Sequence, residues 1–187
     1  MIERQGARWR LVTHAIVSRE GHICAADGTM PPCLIVPEDQ RRFQAALAGA
    51  ALTILGREGH ERHPRGARRR LVLTSRVAAS VAEGEGVLLW NPAGTPLGDV
   101  LARLAPEGGT AVIAGGTRVM TALLPATDAF ELAVAHRCAI PGGRPCLEGA
   151  DDVAAIEARL ADAGLAPAGT GRLAEGVELR RFARRAS

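Results

Sequence analysis

The chain has 187 residues, 23 Lys or Arg against 20 Asp or Glu, a formal net charge of +3, and a composition 47% hydrophobic but only 3% aromatic. That length fits one domain, 1–187, able to bury about 70% of its unfolded surface without covalent staples. The charge is too mild for a nucleic-acid footprint, and no apolar run approaches the roughly 20 residues that cross a membrane as a helix, so neither partner is expected.

Chain order then gives an alternation of strands and helices. The first strand is predicted over 9–17, followed by a Gly-, Asp- and Pro-rich stretch, 18–37, too long for a simple connector and therefore a candidate active-site loop. A helix over 38–47 follows, with Pro37 pre-setting its start, Glu38 and Asp39 at its positive end and Phe43 facing inward. A buried strand over 51–55 ends in Gly56-Arg57 and a short polar helix before Pro64. Strands over 70–75 and 86–90, a helix over 97–104 and a strand over 110–114 come next. Gly115-Gly116 then leads into a helix carrying Val119, Leu123 and Leu124. A strand over 130–136, a helix over 151–163 with Val153, Ile156 and Leu160 inward, and a final edge strand over 177–184 complete the chain. The aliphatic, aromatic-poor composition suits strands covered on both faces. The fold class is α/β: a mostly parallel central sheet with an antiparallel C-terminal edge strand and helices on both faces.

Every Lys-or-Arg position is Arg and Tyr is absent, a bias that discounts Arg clusters as evidence of function. Residues 1–9 are polar and charged, unlike a signal peptide. Cys24, Cys33, Cys138 and Cys146 show no CxxC spacing, so they are expected to be reduced thiols serving as small core hydrophobes in a cytoplasmic protein.

The most informative segment is Gly109–Met120, an apolar strand running through two glycines into a helix. Bare backbone there can approach a ligand closely, and the helix start offers unpaired N–H groups to a phosphate; a tight turn with no ligand is the alternative. Leu55-Gly56-Arg57 and Leu73-Thr74-Ser75-Arg76 end two other strands in the same manner. Ligands of open α/β sheets bind at such carboxyl ends, so a dinucleotide groove follows, with Arg57 or Arg76 placed to meet a 2′-phosphate. Thr74 and Ser75 also read as ordinary strand-end polar residues, and Asp39 as a carboxylate serving the helix dipole. His60 and His63 have helical i, i+3 spacing but no third ligand nearby, and His14 reads as a hydrogen-bonded core histidine. Glu20, Asp27 and Asp128 read as loop or helix-start charges.

Taken together, Ala15-Ile16-Val17, Gly21-His22-Ile23, Asp27-Gly28-Thr29-Met30-Pro31, Pro37-Glu38-Asp39 with Phe43, Leu55-Gly56-Arg57, the strand 71–76 and Ile113–Val119 resemble, in order and spacing, the dihydrofolate reductase superfamily, which includes the riboflavin-pathway reductases. The resemblance implies NADPH as cofactor. Ala15 and Ile23 would flank the nicotinamide. Gly56, Arg57, Gly59, Leu73, Thr74, Ser75 and Arg76 would hold the adenosine phosphate side, while Ala114, Gly115, Gly116, Thr117, Arg118 and Val119 wrap the pyrophosphate. In that family the two glycines are joined by a cis peptide, and the same is expected here. Asp39 falls where the family keeps its active-site carboxylate, which accepts paired hydrogen bonds from a pterin and helps deliver a proton. Phe43 would lie against the ring, Met30 on the loop covering the nicotinamide, Arg68 at the anionic tail, and Ala114 beside the substrate.

Departures accompany these matches. Pro31-Pro32-Cys33 replaces the family's Met-Pro-Trp continuation, Gly59 stands for a phosphate-contacting Thr, Met120 for a Tyr, and Ala133 for the Thr that steadies the carboxylate. Three functions remain. One is an NADPH-dependent reductase of dihydrofolate or a modified pterin such as dihydromethanopterin. Another is a riboflavin-type reductase of a ribosylamino-pyrimidine phosphate, suggested by Ser18-Arg19-Glu20-Gly21. The last is a non-catalytic NADPH-binding protein, in each case monomeric or homodimeric.

Overall fold

A computed structural model describes residues 2–4, 7–63, 68–82, 84–104 and 107–185; Pro64, placed above at the end of the short helix, lies outside them. Its strands are β1 (Ile2–Arg4), β2 (Ala7–Ser18), β3 (His22–Cys24), β4 (Leu52–Gly56), β5 (Arg70–Leu73), β6 (Ser80–Ala82), β7 (Val87–Trp90), β8 (Gly109–Ile113), β9 (Ala129–Ala135), β10 (Arg144–Pro145), β11 (Leu165–Ala174) and β12 (Val177–Arg184). The helices are α1 (Pro37–Ala48), α2 (Arg57–Arg62), α3 (Leu97–Leu104), α4 (Thr117–Leu123) and α5 (Val153–Asp162), with 3-10 turns at Pro32–Leu34 and Leu124–Ala126.

Ten strands form one sheet in the order β11-β12-β9-β2-β8-β4-β5-β7-β6, with β1 also paired to β2. The central run from β9 through β7 is parallel, and β12, β11 and β6 are antiparallel to their neighbours. The expected antiparallel β12 is present, and β11, not foreseen, pairs outside it.

Residues of β2 alternate between the two faces. Leu11, Ala15 and Val17 join the main core with Val100 and Leu101 of α3, Val119, Met120 and Leu123 of α4, and Ile156 and Leu160 of α5. His14 and Ile16 face the other side, where α1 lies: Arg42 of α1 reaches His14, and Ile16 packs on a second cluster containing Leu34, Ala133, Cys138, Ile140 and Leu179. Helices therefore cover both faces. The start of α5 is capped by Asp152, whose carboxylate accepts from the Ala155 N–H at 2.7 Å, a carboxylate N-cap that satisfies an orphan donor.

The stretch 18–37 is not a free loop. Its strand β3 pairs with β10, the His22 ring bonds the Ile140 carbonyl at 2.7 Å through Nδ1, and Cys33 is joined to Cys138 by a disulfide. That bond corrects the expectation of four reduced thiols: the pair stands 105 residues apart in sequence, and the fold brings the 3-10 turn onto the end of β9. Cys24 and Cys146 are free, and burial pushes the Cys146 thiol up to about 12, the inert behaviour of a core cysteine.

Candidate functional site

Parallel pairing sets Gly56 opposite Leu73, Leu73 opposite Trp90, and Ile54 opposite Ile113. The turns leaving β4, β5 and β8 thus open side by side at the carboxyl edge of the sheet, where such sheets bind ligands. The Ala114 N–H donates to the Ile54 carbonyl at 2.8 Å, and a Cβ on Gly56 would stand 3.4 Å from Val119, so the first and third turns touch. Gly59 lies over Leu55. Leu73 is half-buried and Thr74 buried, with its Oγ1 accepting from the Arg76 N–H at 3.2 Å, while Ser75 and Arg76 are exposed. Arg57 is ion-paired to Glu61.

At the third turn Gly115 has φ +103 and Gly116 φ +77, and a Cβ added to either would meet nothing within 4 Å. Glycine is needed there for backbone conformation rather than for lack of space, and the result is an open stretch of bare main chain. The peptide between them is trans, since no cis bond occurs among the described residues; two successive positive-φ residues turn the strand into the helix without one. The Thr117 hydroxyl donates to the Pro145 carbonyl at 2.5 Å, tying α4 to β10, and Arg118 is 91% exposed. Ala15 is buried and Ile23 packs on the main core.

On the α1 face the sequence-selected carboxylate is inside: Asp39 is 8% exposed. Phe43, one turn on, is half-buried with its ring centroid 6.1 Å from that of His14. Arg42, not singled out from the sequence, sits between them. Its Nη2 donates to Asp39 Oδ1 at 2.6 Å, and its Nη1 to His14 Nδ1 at 2.7 Å and to a Glu131 carboxylate oxygen. Burial first, then the adjacent Arg42 charge, lower the His14 pKa from its usual 6.5, holding the ring neutral. Two signals for this cluster are visible in the sequence: Asp39 and Arg42 at i, i+3, and Glu131 as the one polar residue of the apolar strand β9.

A second polar group holds segment 26–28 against α2. Arg62 donates to the Gly28 carbonyl and Arg144 to the Ala26 carbonyl, both at 3.0 Å, and Glu58 pairs with Arg62 at 2.8 Å and Arg144 at 2.9 Å. The hydrogen bond from Arg144 keeps the Glu58 carboxyl below its usual pKa. Met30, just beyond, is 49% exposed.

Glu20, read as a loop charge, is a fastener. It accepts from Arg19, from the Ile140 N–H at 3.0 Å and from the Ser18 hydroxyl at 2.9 Å. These bonds, Arg19 foremost, lower its pKa from 4.5 to about 2. A depressed carboxyl contributes stability that is complete above its unfolded value and lost as pH falls toward its folded one. Glu20→Gln is therefore expected to lower Tm at pH 7 and to flatten the acid limb between pH 4.5 and 2, read by thermal melts across that range; an unchanged acid limb refutes the assignment.

Arg68 lies away from the three turns, lining with Leu47, Ala48, Ala50, Ala51, Arg69 and Glu107 an open depression of about 410 Å³ at the far end of α1. His60 bonds the buried Arg70 through Nδ1 at 3.1 Å, and the His63 carbonyl accepts from the same guanidinium at 3.0 Å.

No protein-family model matches the chain, and no curated protein does. Among solved structures, a dihydrofolate reductase from Enterococcus faecalis, determined with NADP(H) and RAB-propyl, aligns over 95% of this chain and 97% of its own with a TM-score of 0.66 at 23% identity. A diaminohydroxyphosphoribosylaminopyrimidine deaminase/5-amino-6-(5-phosphoribosylamino)uracil reductase from Thermotoga maritima aligns over 95% of this chain and 57% of that longer one, with a TM-score of 0.66 at 13% identity. The chain has the dihydrofolate reductase-like fold, and the expected α/β architecture is the observed one.

Proposed function

We propose that the chain is an NADPH-dependent reductase of a dihydropterin, dihydrofolate or a modified pterin such as dihydromethanopterin. The observation that carries this reading is the buried carboxylate of Asp39 at the start of α1, one helical turn from the half-buried Phe43 ring. The resemblance to the dihydrofolate reductase superfamily puts that family's active-site carboxylate at this position, and one solved structure of similar fold was determined with NADP(H).

The residues present fit that cofactor. The open main chain of Gly115 and Gly116, with no side chain within 4 Å of where a Cβ would stand, leaves room for a diphosphate against Ala114–Val119. Gly56, Arg57, Gly59, Thr74, Ser75 and Arg76, on the two neighbouring turns, would hold the adenosine side. When bound, NADPH supplies the hydride. Asp39 accepts the donor edge of the ring, Phe43 lies along its face, and segment 26–30, held onto α2, limits water above it. Asp39 also orients the proton needed at the reduced bond. Arg68, beside the end of α1, would meet an anionic tail.

The test is NADPH oxidation with dihydrofolate, dihydromethanopterin and the ribosylamino-pyrimidine phosphate offered in turn. Turnover of a dihydropterin is the expected result. Turnover of the pyrimidine alone, or tight NADPH binding with no turnover, overturns the reading in favour of a riboflavin-type reductase or a binding protein. Gly115→Val forces a β-branched residue to φ near +103 and is expected to weaken NADPH binding roughly tenfold or more in a fluorescence titration. Undiminished affinity would remove the double-glycine turn from the cofactor site.

A further inference from the structure

We propose that Arg42 is the positioning residue of this site: its guanidinium, braced by Glu131 and His14, fixes which way the Asp39 carboxylate faces. The inference rests on the reading that Asp39 meets the substrate.

Four polar side chains from three elements converge between α1 and the sheet. Their side chains are 11% exposed for Asp39, 16% for Arg42, 26% for Glu131 and 7% for His14. Glu131 and His14 are partners across the parallel pairing of β9 with β2, so they stand on the same face and brace the guanidinium from below. Arg42 is the single cation against two carboxylates. A guanidinium has no acceptor, so the 2.7 Å contact makes His14 Nδ1 the acceptor and places the ring proton on Nε2. His14 in its neutral form therefore adds a second anchor to Arg42 rather than a competing charge.

With both Nη1 protons committed to Glu131 and His14 the plane of the guanidinium is set, and within it one Nη2 N–H donates to Asp39 Oδ1. Oδ1 is thereby anchored, and Oδ2, with no hydrogen-bond partner among the described residues, is the oxygen presented to a ligand. The strand behind offers nothing equivalent, because Ala133 is fully buried in an apolar cluster with Leu34 and Ile140. A planar guanidinium can serve both carboxylates in one fixed plane, which a lysine ammonium cannot. Misplacement of a reacting group by about 1 Å costs on the order of 100-fold in rate, so holding this carboxylate is worth a polar cluster in the interior.

The test compares Arg42→Met, Arg42→Lys, Glu131→Gln, Asp39→Asn and the Asp39→Asn/Arg42→Met double variant in steady-state turnover of the dihydropterin, with NADPH affinity and circular dichroism alongside. Arg42→Met is expected to lower kcat roughly 10- to 100-fold at unchanged NADPH affinity. The double variant should be no slower than Asp39→Asn alone, because Arg42 acts only through that carboxylate. Added guanidinium ion should restore part of the activity of Arg42→Met and none of that of Asp39→Asn. Arg42→Lys should fold yet keep most of the defect, and it carries the test with Glu131→Gln if Arg42→Met fails to fold. Full activity in folded Arg42 variants, or a double variant slower than either single one, overturns the proposal while leaving Asp39 in place. Indifference of every substrate to Asp39→Asn overturns the functional reading itself, and this proposal with it.

Discussion

Replacing Asp39 by asparagine is expected to lower dihydropterin turnover by about 100- to 10,000-fold, the range contributed by a positioned acid or base, with NADPH affinity unchanged. Asparagine keeps the shape, but with its oxygen held by Arg42 it presents an NH2 donor where Oδ2 stood and no negative charge, so a donor edge finds a mismatched partner. The variant should still fold. Arg42 keeps Glu131 and His14 when Asp39 loses its charge, and the lost charge-assisted bond costs about 2 kcal/mol, well within the stability of a domain of this size. Substrate-saturation curves separate the outcomes. A fall in kcat with folded protein supports the acid's role in the reaction, whereas pyrimidine turnover that ignores the substitution assigns the site to other chemistry. NADPH titration on the same samples shows whether the cofactor groove has been disturbed.

The second large effect concerns Cys33 and Cys138. Removing a cross-link that closes 105 residues is expected to cost about 2–4 kcal/mol, which lowers Tm by roughly 5–15 °C at this chain length. Cys33→Ser should show that loss without added reductant, and reductant should bring the unsubstituted protein down to the same value. Thiol titration in denaturant gives an independent count: with four cysteines in the chain and Cys24 and Cys146 free, two thiols react before reduction and four after it. Four before reduction would refute the cross-link. The bond fixes the 3-10 turn, six residues ahead of Asp39, to the end of the strand that carries Glu131. Cys33→Ser is thus also a test of whether the site depends on that anchorage.

Elements with strong periodicity were readable from the residues alone. The helix over Leu97–Leu104 has the predicted bounds, and β5, β7, β8 and β9 lie within one or two residues of theirs. The double-glycine turn announced itself because glycine at positive φ between a strand and a helix has few other uses. The missed strand β11 reads Leu-Ala-Pro-Ala-Gly-Thr-Gly-Arg-Leu-Ala, which lacks both alternation and β-formers. It is a strand because β12 is beside it and Glu175-Gly176 reverses the chain, a tertiary cause that no local pattern records. The bond between Cys33 and Cys138 left no signature for the same reason: pairing of β2 with β9 and the fold of segment 18–37 bring together residues with no local relation. Arg42 was passed over because Arg is this chain's default cation. Its i, i+3 spacing from Asp39 and the lone polar Glu131 in an apolar strand are the signals that could have exposed it.

β2 has a consequence for how such a protein changes. One side of this strand belongs to the main core, and the other carries His14 of the Arg42 cluster and Ile16 of the second apolar cluster. Exchanging His14 alters the polar cluster around Arg42 while the main core stays intact. Gaining or losing a single residue would turn the face of His14 inward and the interior outward. Diversification along this stretch is therefore confined to letter changes.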